Sequence, residues 1–301
     1  MKIALIGSSG YIAGFLLKRF AEDPMIDCVL TVDQNKKADI YLNLIEPEKF
    51  NYSVLNGIDF VIFTAAVSSP DRCANEYEQC WKINVNGTSY FIREAIRRNC
   101  RVLFFSSDAV FGDIPGEIYT EESETNASTP YGRMKKAVED EFKTETFFKA
   151  IRLSYVVSAQ DRFVSYCLQC IEKGEIADIF HPFYRNCITV RDVVNVVMWF
   201  VKHWSSYHCF AFNVAGKELV SRVRIADELI WQMGYKLNYS ISTPDEKFYQ
   251  NRPKITQMRS LYLQKYRILE EKTFTEKFKK ELEDSMDKKS FDKEYFNNGE
   301  G

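Results

Sequence analysis

Short apolar runs alternate with stretches of helical length over the first 155 residues of the 301-residue chain. The run GIDFVIFTAA is too continuously apolar for a strand with one wet face, and it fits a strand buried on both faces. Such strands, separated by helices, form βαβ units and a parallel sheet. The sequence therefore predicts an α/β fold built on a doubly wound parallel sheet.

The pattern changes after about residue 158. The later helical stretches and one strand are FVSYCLQCIEKG, VRDVVNVVMWFVKHW, SRVRIADELIWQMGY and CFAFNVAG. We predict that residues 1–158 form the sheet domain and that residues 159–280 form mainly a smaller lobe interwoven with it. Residues 281–301 are dense in Lys, Glu and Asp, which predicts a charged, frayed tail.

Composition and charge narrow the choice of partners. The 40 basic and 42 acidic residues give a net charge of −2 with no basic stripe, so nucleic acid is not an expected partner. The longest apolar run, VVNVVMWFV, is shorter than a membrane span, and the apolar start lacks the flanks of a signal peptide. We expect a cytoplasmic protein that binds no membrane.

One CxxC pair, Cys167 and Cys170, stands among the eight cysteines. No second CxxC or CxxH follows to complete a zinc site. Its surroundings have the spacing of an amphipathic helix, so we interpret the pair as small apolar residues on a helix face, and we expect no metal.

The segment GSSGYIAG directly follows the first predicted strand and opens the first predicted helix. Gly7, Gly10 and Gly14, at GxxGxxxG spacing, are interpreted as the glycine fingerprint of a dinucleotide site. Gly7 would permit a tight turn, Gly10 a close approach to the pyrophosphate, and Gly14 the packing of the helix on the sheet. The amides around Tyr11 and Ile12 would face the phosphates. The sheet domain is therefore predicted to be an NAD(P)-binding domain of the Rossmann type.

Asp33 ends the second predicted strand, at the distance from the glycines that the fingerprint requires. A carboxylate there accepts hydrogen bonds from an adenosine ribose and repels a 2′-phosphate, which favours NAD over NADP. Lys36 and Lys37 have the opposite effect, because either could reach a 2′-phosphate. NAD(H) is the predicted cofactor, and NADP(H) stays open.

Tyr131 and Lys135 form a YxxxK pair on one face of a predicted helix. A tyrosine can give the proton that a ketone needs on gaining hydride, and a nearby ammonium lowers its pKa. Such pairs also occur on ordinary surface helices. Ser106 and Ser107 end a buried strand, where a hydroxyl can stabilise charge on a substrate oxygen or merely bond locally.

Five motifs occur in a fixed order: the glycine segment, TAA (Thr64–Ala66), INVNGT (Ile83–Thr88), SSDAVFG (Ser106–Gly112) and YGRMK (Tyr131–Lys135). Together they resemble the extended short-chain dehydrogenase/reductases, the NAD-dependent epimerase/dehydratase family, which act on nucleotide-activated sugars. The resemblance covers residues 1 to about 155. It implies a catalytic triad of Ser107, Tyr131 and Lys135, with Tyr131 as acid/base.

The same resemblance implies further roles in the site. Lys135 would bind the nicotinamide ribose and depress the pKa of the tyrosine, and Asn84 would brace the active-site helix. Ala65 and Ala66 would line the cofactor. A homodimer is an expectation at the level of the family.

Within the family, the segment SSDAVFGDIPGEIYTEESETNASTPYGRMK is similar to the dTDP-4-dehydrorhamnose reductase branch. Ser107 stands where that branch usually has threonine. Asp108 is followed by Ala109, whereas the related 4,6-dehydratases have an Asp-Glu pair, which argues against dehydratase chemistry. FNVAGKELVSRVRIADEL and NRPKITQM resemble later segments of the branch more loosely.

The resemblance implies NAD(P)H-dependent reduction of the 4-keto group of a nucleoside-diphosphate 6-deoxyhexose, in surface-polysaccharide or deoxysugar biosynthesis. Ser107 and Tyr131 would contact the sugar, and Arg185, Arg191 and Arg252 are candidates to grip its diphosphate. For any one of these arginines, a structural role is an equal alternative. An NAD-dependent nucleotide-sugar 4-epimerase and a non-catalytic dinucleotide sensor are the alternative functions.

Overall fold

The computed structural model describes residues 1–284. Within that range the strands are β1 (Lys2–Ile6), β2 (Cys28–Asp33), β3 (Ile40–Tyr41), β4 (Phe60–Phe63), β5 (Arg101–Ser107), β6 (Ile118–Tyr119), β7 (Phe148–Leu153), β8 (Val156–Val157), β9 (Ala177–Phe180), β10 (Tyr184–Arg185), β11 (Ile188–Thr189), β12 (Ala211–Val214), β13 (Val220–Ser221), β14 (Tyr239–Ser242) and β15 (Ile255–Met258). The α-helices are α1 (Tyr11–Ala21), α2 (Pro70–Asn75), α3 (Tyr77–Trp81), α4 (Thr88–Arg97), α5 (Pro130–Phe142), α6 (Arg162–Lys173), α7 (Val190–His203), α8 (Arg222–Met233), α9 (Glu246–Gln250) and α10 (274–284).

The central sheet has seven parallel strands in the order β12–β7–β5–β4–β1–β2–β3. The chain moves outward from β1 through β2 and β3, returns to β4, and then moves outward on the other side through β5, β7 and β12. Ligands of open α/β sheets bind at such a reversal, beyond the carboxyl ends of the strands. The predicted doubly wound, Rossmann-type sheet is confirmed.

Helices cover both faces of this sheet. Phe60 and Ile62 of β4 face the cluster formed with α1 and α7, whereas Val61 and Phe63 face the cluster formed with α4 and α5. Successive side chains of a strand point to opposite faces, so a strand covered on both faces must be apolar at every position. This accounts for the continuous apolar run in the sequence.

Residues 159–280 contribute to both parts of the molecule. β12 pairs with β7 in the central sheet, and α7 packs on the face that α1 covers. In contrast, α6, α8 and α10 enclose a separate core with β9. The chain therefore crosses between the two parts after residue 159, and the domain division at that point stays a prediction.

The predicted frayed tail begins inside a helix. Residues 281–284 continue α10, and the buried carboxylate of Glu281 accepts a hydrogen bond of 3.0 Å from the amide of Arg191. The expectation of fraying is therefore wrong for these four residues, because α10 packs into the core of the second lobe. The rest of the predicted tail, 285–301, lies outside the described residues.

Among residues 1–284, no helix has the length and apolar character needed to cross a membrane. Cys167 and Cys170 are buried on α6 in the core of the second lobe, so their interpretation as apolar helix positions is confirmed. In this part of the chain, no cluster of three or more His, Cys, Asp or Glu side chains could hold a metal ion.

Candidate active site

The glycine-rich segment joins β1 to α1 where the strand order reverses. Gly7 has a φ of +84°, which side chains other than hydrogen disfavour, and a Cβ there would lie 2.6 Å from the amide nitrogen of Ala65. The Gly10 amide donates to the Gly7 carbonyl at 3.0 Å. No side chain of the described residues caps the first turn of α1. Its amides, those that the sequence predicts around Tyr11 and Ile12, are open to a phosphate.

The packing role predicted for Gly14 is wrong. Gly14 is exposed, and no heavy atom lies within 4 Å of a Cβ built at that position. The residue three positions after Gly10 is Ala13, which is fully buried in the cluster beneath α1. The small side chain of Ala13 allows the close approach of helix and sheet, and the fingerprint in this chain is GxxGxxA.

A cavity of about 330 Å³ opens where the carboxyl ends of β1, β2 and β4 meet. Its wall contains five of the predicted cofactor-binding residues, namely Gly7, Gly10, Asp33, Ala65 and Ala66. The structure thus brings together, at the topological reversal, residues that lie up to 59 positions apart in the sequence (66 − 7).

Asp33 is held against the glycine-rich segment. One carboxylate oxygen accepts hydrogen bonds from the amide and hydroxyl of Ser9, at 2.9 and 2.8 Å, and the other accepts from the amide of Asn35 at 2.9 Å. Lys36 and Lys37 are exposed, and within the described chain neither belongs to the wall of the cavity. The carboxylate of Asp33 is therefore held in place at the rim of the cavity, whereas Lys36 and Lys37 lie outside the cavity wall.

The side chains of Tyr11 and Ile12 are engaged away from the cavity. The Tyr11 ring packs edge-on against Phe15, its hydroxyl donates to Ser158, and burial raises the pKa of that hydroxyl. Ile12 packs against the cluster beneath α1. Only the backbone amides of these two residues are left for a phosphate.

The three predicted catalytic residues lie at the carboxyl end of β5 and the start of α5. Ser107 is the last residue of β5, and Tyr131 and Lys135 lie one turn apart on α5. A Cβ at Gly132 would stand 1.9 Å from the carbonyl oxygen of Ala109, so glycine is required for α5 to lie against the segment after Ser107. No motif in the sequence pointed to this glycine.

Lys135 is almost fully buried. Its Nζ donates to the carbonyl oxygen of Phe105 at 2.7 Å, and it lies 4.5 Å from the ring centroid of Phe104 and 5.8 Å from that of Tyr131. Burial lowers the pKa of Lys135 to about 7, and the carboxylate of Glu139 acts in the opposite direction. The ammonium charge is therefore lost easily near neutral pH.

The protonation of Tyr131 differs from the expectation. Burial raises the pKa of its hydroxyl, and the charges that Cys73 and Asp108 can carry raise it further. The predicted lowering by Lys135 is not found, because desolvation outweighs the effect of an ammonium that is itself partly neutral. Tyr131 keeps its proton at neutral pH and can act as a proton donor.

The two serines at the end of β5 have different roles. Ser106 donates to the buried carboxylate of Glu139 at 2.5 Å, and Glu139 is paired with Arg152 at 2.7 Å. Ser107 instead donates to the carboxyl group of Asp108 at 3.1 Å and accepts from the amide of Ala109 at 3.2 Å. Ser106 therefore holds β5 against α5, whereas Ser107, among the described residues, bonds only within its own segment and is the candidate hydroxyl for a substrate. Glu139 could have been noticed from its position one turn after the YxxxK lysine.

Asn84 lies in the π-helical segment Lys82–Gly87 between α3 and α4. Its side chain accepts from the amide of Val67 at 2.8 Å and donates to the carbonyl of Val67 at 2.9 Å, while Nδ2 is 3.5 Å from the sulfur of Met134. It therefore links the segment after β4 to α5, as the predicted bracing role requires.

Arg185 is buried at the start of the second lobe. Its guanidinium donates to the carbonyls of Tyr184 at 2.6 Å and Pro253 at 2.8 Å, and its Nε lies 3.8 Å from the carboxylate of Asp108. The group points to the end of β5, but most of its donors are already used by the backbone.

Arg252 and Arg191 are paired with carboxylates. Arg252 forms two hydrogen bonds with Asp71, of 2.7 and 2.5 Å, and so connects the second lobe to α2. Arg191 lies against Glu281 of α10. Its place in the structure fits the structural alternative.

Arg222, which no sequence motif singled out, differs from Arg185 and Arg252 in having a donor with no partner among the described residues. Its guanidinium lies 4.8 Å from the ring centroid of Phe183 and 5.2 Å from that of Phe163. Its Nε is buried with no acceptor among the described residues, and burial lowers its pKa, with nearby Arg252 adding to the effect. A guanidinium in this state is poised for an anion. No local sequence pattern indicates this role for Arg222, because the residue lies at the start of an ordinary capped helix.

These features together have counterparts in known proteins. The sequence profile described as the RmlD substrate binding domain matches residues 1–287. The chain belongs to the RmlD substrate binding domain family. The resemblance inferred from the ordered motifs is thereby confirmed.

Two curated relatives match parts of this RmlD-family chain. It is 30% identical over 147 residues to the spore coat polysaccharide biosynthesis protein SpsK of Bacillus subtilis. These 147 residues cover 48% of this chain and 52% of SpsK. It is 25% identical over 138 residues to a dTDP-4-dehydrorhamnose reductase of Aggregatibacter actinomycetemcomitans, 44% of each protein. The matches span about half the length of these relatives.

Solved structures share the fold over nearly the whole chain. A dTDP-4-dehydrorhamnose reductase of Clostridium acetobutylicum superposes with a TM-score of 0.79 at 21% identity, covering 93% of this chain and 98% of the other. A UDP-glucuronic acid 4-epimerase of Bacillus cereus, solved with NAD, also gives 0.79 at 14% identity, covering 96% and 99%. Reductases and epimerases thus share one architecture with this chain.

Proposed function

We propose that the protein is an NAD(P)H-dependent reductase of the 4-keto group of a nucleoside-diphosphate 6-deoxyhexose. The observation that carries this proposal is the placement of Ser107, Tyr131 and Lys135 at the carboxyl end of β5, on the sheet edge where the cavity of Gly7 and Asp33 opens. Family membership and the named reductase relatives add support.

The wall of the cavity suits a dinucleotide. A side chain at Gly7 would fill the approach to Ala65, and the carboxylate of Asp33 stands where a ribose needs an acceptor. Gly7, Gly10, Asp33, Ala65, Ala66 and Lys135 are the residues that would hold the cofactor. A bound reduced nicotinamide supplies the hydride. Asp33 makes NADH the favoured form, and NADPH is the second choice.

Residues of the chain then supply the proton and stabilise the negative charge that develops on the ketone oxygen. Tyr131 gives its proton to the ketone oxygen as that oxygen gains negative charge, and its raised pKa ensures that the proton is present. Ser107 donates a hydrogen bond to the same oxygen. Lys135 contributes a positive charge beside the tyrosine while it remains protonated.

Three arginines of the second lobe provide the positive charge for a diphosphate. Arg222 has a free donor, Arg185 lies at the end of β5, and Arg252 would exchange Asp71 for the ligand. All three guanidinium groups stack on phenylalanine rings, at 4.3 to 5.2 Å from the ring centroids. These three guanidinium groups are the lobe's candidate contacts for a diphosphate.

The test is consumption of reduced cofactor by the purified protein. With dTDP-4-dehydrorhamnose, NADH absorbance should fall with time, and it should fall more slowly with NADPH. Tyr131→Phe should lower kcat by about 10²- to 10⁴-fold without changing NADH affinity. Tyr119→Phe, a buried tyrosine outside the triad, is the matched control. Equal turnover by wild type and Tyr131→Phe would rule out the catalytic assignment.

A nucleotide-sugar 4-epimerase is the second candidate, since an epimerase shares the architecture at the same TM-score of 0.79. An epimerase returns the hydride to the sugar, so it should convert a UDP-hexose to its 4-epimer with no net loss of NADH. Product analysis after incubation with UDP-glucose or UDP-glucuronic acid separates the two activities.

A role in surface-polysaccharide or deoxysugar synthesis is part of the proposal, and the name of the Bacillus subtilis relative supports it. The cytoplasmic location and the homodimer stay predictions.

A further inference from the structure

The carboxyl group of Asp108 is enclosed between the end of β5 and the second lobe. Its Oδ1 lies 3.1 Å from the Ser107 hydroxyl, and its Oδ2 lies 3.3 Å from the Ser154 hydroxyl and 3.8 Å from Nε of Arg185. Only 13% of the side chain is exposed. The proposed reduction uses Ser107 and Tyr131, and it leaves this buried carboxyl without a role.

A serine hydroxyl has a single proton to donate. An ionised carboxylate can only accept, so an ionised Asp108 takes the proton of Ser107 and leaves it only lone pairs for a ligand. A protonated Asp108 can donate to Ser107, and the proton of Ser107 is then free. A ketone oxygen is an acceptor only, so it is stabilised by Ser107 in the second state and not in the first.

We propose that Asp108 is a positioning residue that sets the direction of the Ser107 hydroxyl. Protonated Asp108 directs the proton of Ser107 to the ketone oxygen of the substrate, and ionised Asp108 withdraws it. The inference rests on the proposed function, since it requires Ser107 to face a ketone. Asp108 acts through Ser107 and needs no contact with the sugar.

Groups from every neighbouring element face this carboxyl: the Ser107 hydroxyl and Ala109 amide of its own segment, Tyr131 of α5, Ser154 after β7, and Arg185 and Cys187 of the second lobe. Burial raises the pKa of Asp108, whereas Arg185 and the hydrogen bonds from Ser107, Ser154 and Ala109 act in the opposite direction. Arg185 opposes burial only partly, because its Nε is 3.8 Å away and its Nη atoms serve backbone carbonyls. Burial therefore shifts the pKa of Asp108 upward, toward the protonated form.

The substitution Asp108→Asn tests the proposal, because asparagine has nearly the same shape and its amide can donate to Ser107 but cannot ionise. With dTDP-4-dehydrorhamnose and NADH, kcat/KM of the variant should stay within about threefold of wild type at low pH. Above the pKa of Asp108, the ratio of wild-type to variant kcat/KM should fall about tenfold per pH unit. Titration of Lys135 is common to both proteins and cancels in the ratio.

Two further variants separate positioning from a general structural effect. Ser154→Ala removes a donor that stabilises the ionised form, so it should move the fall of the wild-type profile to higher pH. In a Ser107→Ala background, Asp108→Asn should have no additional effect on the pH profile, because there is no hydroxyl left to direct. A ratio that stays constant with pH would overturn the proposal.

An infrared measurement decides the ionisation without any substrate. As the pH falls over the range in which the kcat/KM ratio changes, the wild-type spectrum should gain the carbonyl stretch of a protonated carboxylic acid, and Asp108→Asn should lack this band. A wild-type spectrum with no such band at any pH in that range would overturn the proposal. A protein that shows the band but reduces no 4-keto sugar contradicts the proposed function, and with it the ketone-directing role.

Discussion

The ammonium of Lys135 lies 2.7 Å from the carbonyl oxygen of Phe105, which precedes Ser107 by two residues on β5. One strand therefore carries Ser107, the proposed catalytic hydroxyl, and also anchors the lysine of the YxxxK pair. This contact is buried, and the burial that holds the lysine in position also lowers its pKa.

This burial predicts that Lys135 destabilises the fold as the pH falls. Its pKa is lowered from 10.5 to about 7 in the folded protein, so the unfolded chain binds more protons between these values. Wild-type stability should therefore decline as the pH falls from about 10 to about 7. Lys135→Met abolishes this decline, and its free energy of unfolding should exceed that of wild type by an amount that grows over this window, on the order of a few kcal/mol.

Urea unfolding at a series of pH values measures the effect. Lys136→Met is the matched control, because Lys136 is the next residue of α5, is partly exposed and is paired with Asp140. It should follow the wild-type pH dependence. Parallel curves for Lys135→Met and wild type would show that burial does not shift the lysine.

A second prediction contrasts two glycines of the fingerprint. Gly7→Ala places a Cβ 2.6 Å from a backbone nitrogen in a conformation with positive φ, so it should destabilise the protein by about 2 kcal/mol or more and abolish NADH binding. Gly14→Ala meets open space on a helix, so it should keep NADH binding and raise stability by up to about 1 kcal/mol. Thermal unfolding and calorimetric titration with NADH measure both. Loss of binding in Gly14→Ala would contradict the reassignment of packing to Ala13.

These two glycines also show how far the sequence leads. The parallel, doubly wound sheet could be predicted from apolar runs such as that of β4, because strand and helix periods are local properties. Three glycines close together suggested one fingerprint role for each, yet which small residue touches the sheet depends on the rotation of α1. That rotation is set by packing and places Ala13 inside and Gly14 outside.

The second lobe was harder to predict for a related reason. Arg252 and Asp71 are 181 residues apart, and their pairing depends on how one lobe lies on the other. The buried environment of Arg222 likewise comes from Phe163 of α6 and Phe183, which precedes β10. Local sequence patterns do not contain such long-range contacts. The sequence therefore predicted Arg185, Arg191 and Arg252 for the diphosphate but not Arg222.

A third prediction concerns cofactor choice. Wild type should prefer NADH, and Asp33→Asn should raise kcat/KM for NADPH relative to NADH by about tenfold or more, because the fixed negative charge no longer repels a 2′-phosphate. Asp39→Asn is the control, since Asp39 is an exposed carboxylate that also accepts an amide and a hydroxyl hydrogen bond, from Thr31. It should leave the ratio unchanged. A wild-type protein that prefers NADPH would contradict the prediction and would indicate that Lys36 or Lys37 binds the 2′-phosphate.

The last prediction concerns Arg222 and the diphosphate. Arg222→Gln should raise KM for dTDP-4-dehydrorhamnose by about 10- to 100-fold, with little change in kcat or NADH affinity, because it removes a charge-assisted hydrogen bond distant from the reacting carbon. Arg191→Gln is the control: it breaks a contact with Glu281 and should lower the melting temperature without changing KM. Free dTDP should lose affinity for Arg222→Gln by a similar factor, because the diphosphate is common to both ligands. If dTDP affinity is unchanged while KM rises, Arg222 contacts the sugar and the diphosphate lies against Arg185 and Arg252.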